Sequence, residues 1–78
     1  MLPEHSMVIV THDVPDQGVR RGDVGAIVHI YPGASAYEVE FDRIEGKSDP
    51  LATLKPDEIR LATSREMELA TEKSHAAK

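Results

Sequence analysis

The chain has no cysteine, so it can build neither a disulfide framework nor a thiolate metal site, and the usual staples of a small secreted domain are missing. A reducing, cytoplasmic setting is the expectation that follows. No apolar run approaches the roughly 20 residues of a membrane-spanning helix. Glu4 stands where a signal peptide would carry positive charge, so the chain reads as soluble and unprocessed, with no membrane partner. Aromatic side chains are scarce as well. Tyr31, Tyr37 and Phe41 make up the whole set, and nucleic-acid-binding barrels ordinarily expose aromatics on which bases stack. Nor is there a nucleophile elbow, or a glycine-rich loop opening a helix. Gly22-Asp23-Val24-Gly25 leads into a strand and so lacks the helix N-terminus that binds phosphate. The expectation is a protein that is not an enzyme and carries no cofactor.

Length sets the next bound. Seventy-eight residues form one domain that buries only roughly 60% of the surface its unfolded chain exposes, too little for a deep catalytic cleft. The net charge is −5, and it is unevenly spread: residues 1–62 hold eleven acids against six Lys or Arg, while residues 63–78 hold three of each. Affinity for nucleic acid rests largely on neutralising phosphates, so an acidic body argues against a general nucleic-acid binder.

What is present is β-forming. Ser6 to Thr11 is apolar and β-branched, and its alternation sets Val8 and Val10 on one face and Met7 and Ile9 on the other. His12 to Arg21 contains Pro15, Asp16 and Gly18, which break regular structure, so it reads as a long excursion pinned by Val14 and Val19. A second strand covers about Asp23 to Tyr31, with a bulge expected at Gly25-Ala26 that turns Val24 and Ile27 inward. Pro32 to Ser35 is a turn. From Ala36 to Asp42, Tyr37, Val39 and Phe41 alternate with Glu38, Glu40 and Asp42, giving one core face and one acidic face. Arg43 to Pro50 reads as a polar hairpin loop, Leu51 to Leu54 as a short strand, and Lys55 to Glu58 as a single helical turn with proline at its start. Ile59 to Leu61 is again extended. The expected class is mainly β: a small five-stranded SH3-like barrel over residues 1–62, with Val8, Val10, Val24, Ile27, Tyr37, Val39 and Phe41 sharing one interior.

Residues 63–78 follow a different pattern. Thr63 and Glu66 have the spacing of a capping box, and Ser64 to Lys73 is rich in helix formers, which predicts a short C-terminal α-helix and a frayed tail. Met67, Leu69 and Ala70 give it a narrow apolar stripe. So short a helix is ordered only by docking, either on the barrel or as a homodimer surface, and the sequence leaves the oligomeric state open.

The turns at Val14-Pro15, Gly22-Asp23-Val24-Gly25 and Tyr31-Pro32-Gly33, the strand Tyr37 to Phe41, and the segment from Thr53-Leu54 to Arg60 together resemble the bacterial domain-of-unknown-function family 4926, over roughly residues 5–62. The resemblance implies a small SH3-like barrel with a binding-type role, as an antitoxin or accessory subunit serving the product of a neighbouring gene would have. It transfers no catalytic residues. The chain departs from the family pattern in its Arg43 to Pro50 loop and longer tail. The Gly-Asp-x-Gly-x-Val turn is also shared with nucleic-acid-binding KOW barrels and with the β-subunit barrel of nitrile hydratases. That turn solves a backbone problem at a barrel corner, so it speaks to fold more than to function.

Three constellations remain. Glu38, Glu40 and Asp42 project in a row from one strand face, and the bland reading is a solvated exterior that discourages aggregation. The histidines His5, His12, His29 and His75 match no metal-ligand spacing, so no metal site is expected. Arg20 and Arg21 sit on a loop where guanidinium groups could reach a partner's carboxylate or simply pair with Asp13, Asp16 or Asp23. A groove between the long first loop and the second hairpin would expose His12, Asp13, Arg20, Arg21 and Tyr31 to a protein partner. A KOW-like nucleic-acid barrel is the alternative.

Overall fold

In a computed structural model of the chain, which describes residues 2–69, five antiparallel strands form one sheet. They are β1 (Met7–Val10), β2 (Val24–Ile30), β3 (Tyr37–Glu40), β4 (Leu51–Leu54) and β5 (Ile59–Leu61), in the order β4-β3-β2-β1-β5. Short 3-10 turns at Pro15–Gln17, Pro32–Ala34 and Pro56–Glu58 each begin with proline, whose fixed φ suits the first helical position. Residues 64–69 are helical. The mainly β class, the strand count and the C-terminal helix match the sequence reading. The ladder itself is open, because β4 and β5 lie at its two ends and no pairing joins them.

The core lies on one face of the sheet. Val8, Val10, Ile27, Tyr37, Val39 and Phe41 are buried together, as alternation predicts, with Val14, Val19, Ala52, Leu54 and Ile59 completing the cluster. Val14 and Val19 face each other in an isolated bridge and hold the long excursion down. Two expectations are corrected. Val24 is only half-buried, because it pairs with Ile9 and so stands on the face opposite Val8 and Val10. The bulge lies not at Gly25-Ala26 but at Val28, where Ile27 opposes Val39 and His29 already opposes Glu38. One extra residue there lets Ile27 and Ile30 both meet the core, although they are three apart in sequence.

Gly25 has another purpose. It is buried beneath β3, and a Cβ placed on it would lie 2.6 Å from Val39 Cγ1 and 2.8 Å from the Glu40 carbonyl oxygen. Only glycine lets β2 and β3 approach so closely there. Ile44 is a further correction: it lies within the loop read as polar, yet it is buried in the core, packed where Gly18 leaves room for it.

The two sheet edges are treated differently. In β4 three outward-facing backbone groups are taken by side chains: Thr53 N–H donates to Gln17 Oε1 (2.8 Å), Leu51 N–H to Asp49 Oδ1 (3.3 Å), and Lys47 Nζ donates to the Leu51 carbonyl (2.7 Å). Such side-chain caps reduce the template that an exposed edge strand otherwise presents. In β5, Arg60 Nη1 donates to the Leu61 carbonyl at 3.1 Å.

Candidate interaction surface

The excursion between β1 and β2 is an ordered loop. Val10 exchanges hydrogen bonds with Gly22 and Asp23 at its base (2.8 and 2.9 Å), and Val14 with Val19 further out (2.9 and 3.4 Å). Gly18 adopts the left-handed conformation (φ 76°) that ends the 3-10 turn. Two carboxylates fix the tip: Asp23 Oδ2 accepts from the Arg20 backbone N–H and Asp13 Oδ1 from that of Arg21, each at 2.9 Å. These acids are thus engaged with main-chain donors. Among the described residues the one ion pair is Arg60 with Glu66, so Arg20 and Arg21 carry exposed guanidinium groups without a carboxylate partner. His12 lies two residues beyond the end of β1, its Nδ1 3.1 Å from Thr11 Oγ1, and Thr11 Oγ1 donates to the Asp57 carbonyl at 2.9 Å.

Four of the five expected contact residues therefore gather at one end of the sheet: His12, Asp13, Arg20 and Arg21. Tyr31 stands apart from them, beyond the far end of the seven-residue β2. There it donates to Glu38 Oε1 at 3.1 Å and meets His29 edge-on, with ring centroids 4.8 Å apart. Thr53 Oγ1 also donates to Glu38 Oε1, at 2.6 Å, so the half-buried Glu38 is engaged while Glu40 and Asp42 stay exposed. Among the described residues no three His, Asp or Glu side chains converge as metal ligands would; His75 lies outside them. No helix there is long and apolar enough to cross a membrane.

Arg60 has a role separate from that of Arg20 and Arg21. Its Nη1 and Nη2 donate to Glu66 Oε1 and Oε2 at 2.8 and 2.7 Å, the two-pronged geometry that guanidinium and carboxylate favour. The expected capping box is formed: Thr63 N–H donates to Glu66 Oε1 (2.9 Å) and Glu66 N–H to Thr63 Oγ1 (3.1 Å). The Arg60 guanidinium, with help from the Thr63 backbone N–H, pulls the Glu66 carboxyl down to about 2. Glu66 in turn holds Arg60 above its ordinary value. No sequence rule pointed to this pair, since its members belong to different elements; the spacing of Thr63 and Glu66 was the only signal.

Fold and surface together define a small, mainly β domain with an ordered basic loop tip. The chain belongs to the family described as domain of unknown function DUF4926, whose sequence model matches residues 4–61. No curated protein and no solved structure matches it.

Proposed function

We infer that the chain is a non-catalytic accessory module of the bacterial cytoplasm that recognises a protein partner, antitoxin-like in that the partner is encoded next to it. Its scaffold, in this reading, is an SH3-like barrel. One observation carries it: Arg20 and Arg21 project from a loop already fixed in place, and the neighbouring Asp13 and Asp23 hold its backbone. A pre-ordered loop loses less conformational freedom on binding, and each guanidinium keeps its planar fork for a partner's carboxylate. Recognition then works by shape and charge complementarity, with His12 at the margin of the contact.

The test is co-purification of the tagged full chain from its host, native against an Arg20→Glu, Arg21→Glu variant. The native chain is expected to recover one dominant protein encoded nearby, and the variant at least ten-fold less of it, about 1.4 kcal/mol. Equal recovery, or none that reproduces, would sink the reading. Retention of the native chain on heparin that falls steeply with salt would favour the nucleic-acid alternative.

A further inference from the structure

The face of the sheet turned away from the core carries a carboxylate that is held in place and only half used. His29, Glu38 and Thr53 stand in a row across β2, β3 and β4, close enough for neighbouring side chains to touch. Glu38 Oε1 accepts from the Tyr31 hydroxyl at 3.1 Å and from Thr53 Oγ1 at 2.6 Å. Both donors are neutral, so the carboxylate keeps its charge, and its Oε2 takes no hydrogen bond among the described residues. No cation of the chain answers it. β2, β3 and β4 contain no lysine or arginine, and the one ion pair among the described residues is that of Arg60 with Glu66. The next side chain on this face of β3 is a second acid, the exposed Glu40. On the β2 side of Glu38, Tyr31 and His29 meet edge-on with centroids 4.8 Å apart, which sets an aromatic wall beside the carboxylate.

We propose that Glu38, walled by Tyr31 and His29, is a receptor site for an arginine side chain of a protein partner. The uncompensated charge of Glu38 and Glu40 draws a cation, the open Oε2 accepts from it, and the neighbouring rings favour the flat guanidinium over the compact ammonium of lysine. Two hydroxyls already hold the Glu38 side chain, so it has little rotamer freedom left to lose on binding. A hard metal ion would need several oxygens converging from different segments, and among the described residues no three His, Asp or Glu side chains converge in that way. The site stands beyond the opposite end of β2 from the Arg20–Arg21 tip. It rests on the reading of the chain as a protein-binding module but uses none of the tip's residues.

The experiment titrates the full chain with the peptide acetyl-Gly-Arg-Gly-amide, followed by NMR at the His29 and Tyr31 rings and the Glu38 carboxyl carbon. Saturable shifts are expected at all three, weaker with lysine in place of the arginine, and absent with citrulline, which keeps the shape and lacks the charge. Glu38→Gln retains an oxygen for Tyr31 and Thr53 and puts an amide donor at the open position. Its affinity for the arginine peptide should fall at least about five-fold, with unchanged Ile27 and Val39 methyl signals as the folding control. Tyr31→Leu should erase the preference for arginine over lysine. Equal affinity of the native and Glu38→Gln chains, equal shifts with citrulline, or shifts confined to Asp42, Glu45 and Asp49 overturns the proposal. Saturation of the same signals by magnesium chloride in place of the peptide would give the site to a metal ion and overturn it too. Peptide-free shifts at Tyr31 that grow with protein concentration and vanish in Arg20→Glu, Arg21→Glu would give Glu38 to the basic tip of a second copy and overturn the assignment to a partner. A positive titration with a failed co-purification would discard the tip and keep this site; a failed titration with a co-purification that depends on Arg20 and Arg21 would do the reverse.

Discussion

Replacing Gly25 by alanine probes how closely β2 and β3 approach. The added Cβ would lie 2.6 Å from Val39 Cγ1, 2.8 Å from the Glu40 carbonyl oxygen and 3.0 Å from Phe41 Cδ1, whereas carbon atoms pack best at about 3.5–4.0 Å. Val39 and Phe41 are buried and the Glu40 oxygen is main chain, so no single rotamer change relieves the clash. Overpacking of this kind costs about 1–3 kcal/mol, and a backbone contact places it at the upper end. Restricting the unfolded chain returns about 0.4–1 kcal/mol, leaving a net loss of about 2 kcal/mol. A domain of this length has about 4–12 kcal/mol in total at the usual stability per residue, and its midpoint should fall by about 8–16 °C. Urea and thermal unfolding followed by circular dichroism would measure it, with Gly33→Ala as the comparison. Gly33 has open space around it and φ +69°, so alanine there costs only the left-handed strain of about 1–2 kcal/mol, less the same unfolded-state gain. A Gly25→Ala loss no larger than that of Gly33→Ala would refute the close-approach argument.

Two further outcomes are expected. Ile44→Ala should destabilise by about 2–4 kcal/mol in equilibrium urea unfolding, because Ile44 is a core side chain; a change below about 0.5 kcal/mol would place it on the surface. The Glu66 carboxyl, followed by carbon NMR, should titrate near 2. Its folded value is depressed, so what the fork contributes to stability is present above the ordinary carboxylate range and is lost as pH falls through about 2. An Arg60→Leu variant should move the titration back towards 4.5, the ordinary value, and a native midpoint already there would dismiss the fork.

Strands whose one face is buried were legible because period-two alternation is a direct imprint of burial: Tyr37, Val39 and Phe41 are the clearest case. The capping box was legible because Thr63 and Glu66 are local partners. The run from Ala26 to Ile30 misled for a physical reason, since it is apolar on nearly every residue and hides the slip at Val28. Gly25 was read as a bulge because glycine serves both bulges and close approaches, and nothing local separates the two. Ile44 stands alone among polar residues, so no period marks it. The basic tip could be seen as composition, but the commitment of Asp13 and Asp23 to backbone amides is a tertiary fact. The separation of Tyr31 from Arg20 and Arg21 likewise follows from the direction of β2 and not from any motif.

Gln17 reaches from the excursion to the Thr53 amide on β4, and Asp49 and Lys47 take the Leu51 amide and carbonyl on the same rim. A fibril that grows by strand addition needs two adhesive ends on every subunit, one to join and one to be joined. With one end obstructed by side chains, pairing through β5 is expected to stop at two molecules rather than propagate.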